Sequence, residues 1–167
     1  MTDLLLRGGQ LFDGRSFLGA GDVLVEGAVI TAVGTSLLPG PGTTVLDCSG
    51  ATVMPGLVDA HVHLAWAGLE PPPASVAESN ARAVCNASAL LAAGVTTVRD
   101  TGGPLEVVRE VRSQLSGPAI LLSGEILCAP GGHGTEIPLA VPIARECPVL
   151  LRSPPRSAGT STPGPTS

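Results

Sequence analysis

Val53-Met54-Pro55-Gly56-Leu57-Val58-Asp59-Ala60-His61-Val62-His63-Leu64 decides how this chain is read. An apolar run interrupted by Pro-Gly continues as a strand-like stretch and ends in two histidines with one residue between them. Successive side chains on a strand point to opposite faces, so Asp59, His61 and His63 are expected on one face, with the histidine Cα atoms roughly 6.5 to 7 Å apart. Two imidazoles so placed can converge on one divalent cation, and a catalytic zinc typically takes about three protein ligands plus an open position for water. On spacing alone a solvated or hydrogen-bonded histidine pair is the commoner outcome. Position favours the metal, because the C-terminal ends of strands are where parallel α/β architectures build their sites.

Toward the amino terminus, residues 4–11, 22–34 and 45–50 are short apolar runs separated by glycine-rich turns, and Gly27 between two apolar triplets reads as a tight hairpin. That segment is β structure. Toward the carboxyl terminus the period changes. Pro71-Pro72-Pro73 is a rigid connector, and Ser75 with Glu78 three residues on is a capping-box signature that starts a helix. Val76, Ala83, Val84, Ala87, Leu90 and Leu91 fall on one face at the helical period, with Gly94 as the stop. Residues 94–99 then read as a β-branched strand. Residues 104–115 read as a second helix with Leu105, Val108, Val111 and Leu115 inward, and residues 118–123 as a further strand. Strand, helix, strand, helix, strand is a βαβ series, which predicts three adjacent parallel strands with both helices on one side.

Beyond residue 135 the regularity fails, and residues 136–167 are expected to be an irregular, disordered tail rich in Ser, Pro, Thr and Gly. The chain has 167 residues, a net charge of −5 and 14% charged residues against a usual value of about 25%. The composition is that of a buried α/β core. Its nine basic residues are scattered arginines with no patch, which argues against a nucleic-acid partner. Three consecutive leucines near an acidic start are too short for a signal-peptide core or a membrane span, so a cytoplasmic location is expected. Cys48, Cys85, Cys128 and Cys147 form no C-x-x-C pair and are read as reduced thiols.

The stretch from Val53 to Leu64 resembles the first barrel strand of the metal-dependent amidohydrolase superfamily. Residues 4–50 are similar to the small β-sandwich that precedes that barrel. Gly94-Val95-Thr96-Thr97-Val98-Arg99-Asp100-Thr101-Gly102-Gly103 and Gly131-Gly132-His133-Gly134 resemble the branch holding imidazolonepropionase-like enzymes and Xaa-Pro dipeptidases. The resemblance implies an α/β fold: an incomplete (β/α)8 barrel of about the first three strands, preceded by a small β-sandwich segment. The implied division is residues 1–51 for the sandwich part, 52–135 for the first βα units and 136–167 for the tail. A full barrel takes about 250 residues, so this chain supplies its amino-terminal portion only.

The resemblance also implies a hydrolase of carbon–nitrogen bonds acting on a cyclic amide or a dipeptide-type substrate, with a divalent metal, zinc in the first instance, held by His61 and His63. Asp59 is placed to orient one imidazole or to make a strand-end hydrogen bond. His133 and Asp100 are candidate substrate-binding residues. For His133 the alternative is an exposed loop position, and for Asp100 a turn or helix-start carboxylate. No residue is assigned as catalytic. The chain contains no lysine, so a lysine-bridged two-metal centre is excluded while the chain acts alone. It is therefore expected to be a truncated, inactive form, as a frameshift or premature stop in a GC-rich gene would produce. The alternative is a non-catalytic fragment that binds a metal or a partner. Strands without barrel neighbours would favour self-association.

Overall fold

A computed structural model describes residues 2–66, 71–114, 117–135 and 143–147. They fall into two units, Met1–Gly56 and Leu57–Ser167.

In the first unit, β1 (Leu4–Phe12) is the central strand. It pairs antiparallel with β2 (Phe17–Glu26), which pairs antiparallel with β3 (Val29–Gly34), while β4 (Thr44–Asp47) and β5 (Thr52–Val53) lie parallel to β1 on its other edge. The β2–β3 connection is the tight turn expected at Gly27, whose φ of +62° needs no Cβ to accommodate. A bulge interrupts β1 between Leu6 and Gly9. There the Gly8 N–H leaves the ladder and donates to Asp22 Oδ1 at 2.8 Å, and Asp22 Oδ2 accepts from Leu37 N at 3.0 Å. These two backbone donors, Gly8 first, hold the Asp22 carboxyl below its usual range. A β-sandwich segment was the expectation for this region. The described residues join all five strands into one hydrogen-bonded sheet, with β3 attached through β2 and the other strands paired to β1.

The second unit carries the βαβ series. β6 (Leu57–Val62), β7 (Val95–Asp100) and β8 (Ala119–Leu122) form a parallel sheet in that order, with α1 (Val76–Ala92) between the first two and α2 (Leu105–Gln114) between the last two. Ser75 caps α1 by accepting from Glu78 N at 3.1 Å. Glu78 reaches back one residue further than a capping box requires, to Ala74 N at 2.8 Å, and pairs with Arg82, whose other nitrogen donates to Pro71 O. The proline connector and the first helical turn are thereby tied together. These partners, the Ala74 N–H first, hold the Glu78 carboxyl below its ordinary value.

One face of the sheet is packed. Val98 and Ile120 lie against Ala83 and Ala87 of α1 and Val107, Val108 and Val111 of α2 in one core cluster. The buried face of α1 is Ser79, Ala83 and Ala87, with Leu90 partly buried, and Val76, Val84 and Leu91 stand exposed. Ala83, Ala87 and Leu90 are thus inward as periodicity predicts, while Val76, Val84 and Leu91 are not and Ser79 takes their place. The small side chains decide it, since they let the helix approach the sheet closely, and a stripe read by hydrophobicity alone passes over Ser79. The opposite sheet face is open, with Val58 68% and Leu121 57% exposed.

Past β8 the structure adds β9 (Ile126–Cys128) and β10 (Ala144–Glu146), paired parallel as a two-stranded sheet. Residues 144–146 are therefore a strand, which corrects the expectation of an irregular tail at these positions. Three residues are too few to show a period in sequence. The rest of that tail, residues 136–142 and 148–167, lies outside the described residues, as does Leu115.

Candidate metal centre and cavity

His61 and His63 stand at the C-terminal end of β6, and their rings meet edge-on with centroids 5.3 Å apart and planes at 82°. His63 Nδ1 lies 2.6 Å from Gly102 O. A carbonyl only accepts, so Nδ1 carries the proton, and of the two neutral tautomers the one this contact selects leaves the lone pair on Nε2. A metal–nitrogen bond of about 2.0 to 2.1 Å plus a ring radius of roughly 1.1 Å puts each centroid about 3.2 Å from a shared ion, and a tetrahedral angle then separates the centroids by about 5.2 Å. The observed spacing meets that requirement. Among the described residues no group of three or more His, Cys, Asp and Glu is arranged to hold a metal ion.

The loop after His63 is fixed from several sides. Trp66 N donates to His63 O at 3.3 Å, Leu64 N donates to Asp100 Oδ2 at 2.9 Å, and Asn86 Nδ2 of α1 donates to Leu64 O at 2.8 Å. At the end of β7, Thr101 N donates to Val62 O at 3.0 Å, which brings the Gly102 carbonyl beside the His63 ring.

Asp59 has a different place from the one strict alternation gives. It is level with Val98 and Val62 is level with Asp100, so three steps along β6 match two along β7. The irregularity breaks the parity between Asp59 and the histidines. Its Oδ1 accepts from the backbone N–H of His61 at 3.1 Å, the strand-end hydrogen bond that sequence left open as one of two roles. Asp100 is only 2% exposed, and its carboxylate takes the Leu64 and Gly102 N–H groups. It is not among the residues lining the cavity, whereas His133 is.

That cavity, of about 590 Å³, is bordered by His61, His63 and His133 together with Trp66 from the β6 loop, Asn86, Ala89 and Leu90 from α1, the Gly102-Gly103-Pro104 turn, and Ile126 and Ile143. His133 sits in a loop closed by Gly132 N donating to Ala129 O at 2.8 Å and Thr135 N to Gly132 O at 3.2 Å. The β9–β10 pair supports this loop, with Glu146 Oε1 accepting from Gly131 N at 2.8 Å. Asn86 and Gly102 are the site residues that sequence reasoning did not single out. Asn86 had a signal, as one of two amides beside the small-residue face of α1, the other being Asn80. The carbonyl of Gly102 had none.

A profile of the amidohydrolase family matches residues 52–149. The chain belongs to the amidohydrolase family. Its sequence is 42% identical over 69 residues to a dihydroorotase of Citrifermentans bemidjiense, covering 41% of this chain and 16% of that enzyme. Its fold is similar to a prolidase crystallised with N-methylphosphonate-L-proline (TM-score 0.68, 28% identity, 87% of this chain and 40% of that one). It is also similar to an Xaa-Pro dipeptidase with methionine bound in its active site (TM-score 0.69, 26% identity, 79% and 36%). The chain thus spans between about a sixth and two-fifths of the length of these relatives, and what it shares with the family is an amino-terminal portion. Among the described residues no helix is long and apolar enough to cross a membrane.

Proposed function

We propose that this chain is the metal-binding amino-terminal portion of a hydrolase that cleaves carbon–nitrogen bonds, with His61 and His63 as the ligands of one divalent ion, zinc. The observation that carries the reading is the pair of rings 5.3 Å apart, one of them locked with its Nδ1 on a backbone carbonyl. Bound zinc would supply acidification of water toward a pKa of about 7 and polarisation of a substrate carbonyl. The chain's own residues hold, orient and enclose. His63 presents Nε2, Asn86 and Asp100 fix the loop behind it, and His133 faces the space where substrate would lie.

Substrate is a cyclic amide or a dipeptide-type amide. The dihydroorotase and Xaa-Pro dipeptidase relatives support that class, and a cavity of about 590 Å³ has room for a molecule of that size. The barrel is incomplete at about three strands, so the open face of β6–β8 is an unfinished interior and a surface for self-association. The chain works in the cytoplasm and does not turn over substrate alone, because among the described residues two histidines are short of the usual three protein ligands and no general base accompanies them. A second reading, a non-catalytic module that binds metal or a partner, is favoured by that same open apolar face.

Calorimetric titration of the metal-free chain with Zn²⁺, beside His61→Ala and His63→Ala, tests the reading. One ion per chain is expected, with at least a tenfold loss of affinity in each variant. Binding that survives both substitutions, or no binding at all, refutes it. Hydrolysis of dihydroorotate or of an Xaa-Pro dipeptide by the chain alone would overturn the assignment as an inactive portion.

A further inference from the structure

The geometry points to Asp100 as a positioning residue for His63: one buried carboxylate ties together the backbone on both sides of the hydrogen bond that sets the His63 tautomer. Its Oδ2 accepts from Leu64 N at 2.9 Å, the residue that follows His63, and its Oδ1 accepts from Gly102 N at 3.3 Å, the residue whose carbonyl takes His63 Nδ1 at 2.6 Å. The ring and its acceptor are 39 residues apart in sequence, and the carboxylate spans the same two segments. At 2% exposure water does not substitute for it.

The turn is shaped around this arrangement. A Cβ on Gly103 would lie 3.2 Å from Asp100 Oδ1, and one on Gly102 would lie 2.8 Å from Ile126 Cδ1 and 3.6 Å from His63 Cε1. Only bare backbone passes between the carboxylate, the imidazole and Ile126. A helix-start role for Asp100 is not what its bonds describe, since α2 begins at Leu105 and the carboxylate serves Leu64 and Gly102 instead.

Asparagine has nearly the same shape but only one acceptor atom. In Asp100→Asn the amide nitrogen must face one of the two N–H groups, donor against donor, and either Leu64 or Gly102 is released. The Gly102 carbonyl then no longer holds Nδ1–H, and the neutral His63 ring redistributes toward the Nε2–H form, in which Nε2 is occupied by a proton.

The tautomer is read directly in the metal-free chain with ¹⁵N-labelled histidine, from long-range proton–nitrogen correlations recorded at alkaline pH. Wild type is expected to show a protonated Nδ1 and a bare Nε2 at His63, and D100N a mixture. This step does not depend on metal. The link to metal rests on the proposed function and is read separately by zinc competition, where D100N should bind about 10- to 100-fold more weakly. A His63 that is protonated on Nε2 in wild type overturns the inference, and so do ring signals that are the same in wild type and D100N. A tautomer change in a protein that binds no zinc upholds Asp100 as a positioning residue and removes the metal reading alone. Should D100N lose its dispersed amide spectrum, Gly102→Ala displaces the same carbonyl while leaving the carboxylate in place. Unchanged His63 ring signals in G102A overturn the inference as well.

Discussion

Replacing Val98 by alanine tests where the core of the second unit lies. Val98 is at 0% exposure in the middle strand, level with Ile120 of β8, and it packs against both helices. Removing two methyl-sized groups forfeits about 1.6 kcal/mol of transfer free energy at about 0.8 kcal/mol each. A residual cavity of roughly 40 Å³ at about 24 cal/mol per Å³ adds about 1 kcal/mol. The expected loss is thus about 2.5 kcal/mol, which at a urea slope of about 1 to 3 kcal/mol per molar lowers the midpoint by about 0.8 to 2.5 M. Val58→Ala is the matched control, a valine to alanine change on the same sheet at a side chain 68% exposed, and it should cost no more than about 0.5 kcal/mol. Trp66, the single tryptophan, lies on the cavity wall of this unit, so its fluorescence during urea titration reports this unit and not the amino-terminal sheet. Equal losses in the two variants would refute the reasoning, because they would mean that the Val58 face is as thoroughly covered in solution as the helix face.

Two further outcomes follow from the hydrogen bonds. Ser75→Ala removes the acceptor of the Glu78 N–H at the start of α1 and should cost about 1 kcal/mol in the same urea titration, a loss that Ser75→Asp should avoid. The Asp22 carboxyl is held below its usual range chiefly by the Gly8 and Leu37 N–H groups, so the stability it contributes is present above the unfolded value near about 3.9 and fades as pH falls through the lower folded value. Acid titration followed by hydrogen exchange at Gly8 and Leu37 should show protection lost only in that acid window, and Asp22→Asn should abolish the pH dependence at these two amides.

The parts of the fold legible in sequence are those fixed by local chemistry. Ser75 with Glu78, Gly94 after the helix and Gly27 in the hairpin each act within a few residues, and the structure places a cap, a helix end and a turn at these positions. His61 and His63 were legible as a pair because a strand has only two faces. Asp59 was not, because the break in register along β6 comes from pairing with a segment some forty residues away. The buried face of α1 was misjudged in part, for a related reason: Val84 and Leu91 are apolar, but the sheet accepts only side chains as small as Ser79, Ala83 and Ala87 at close approach. β9 and β10 are held by each other and by the loop of His133, and no window of sequence contains both.

The cavity is enclosed by two kinds of wall, and they differ in what evolution or an engineer can do with them. Along the Gly102-Gly103 side it is bare main chain, where any added carbon collides with Ile126 or crowds Asp100, so that side admits essentially one chemistry. Along the α1 side, the exposed Ala89 presents its side chain from a regular helix that tolerates exchange without disturbing the backbone, whereas Leu90 also packs against the core. The shape of the cavity can therefore drift by substitution on the helix while the anchored imidazole stays as it is, and a library aimed at changing what the cavity admits belongs at position 89.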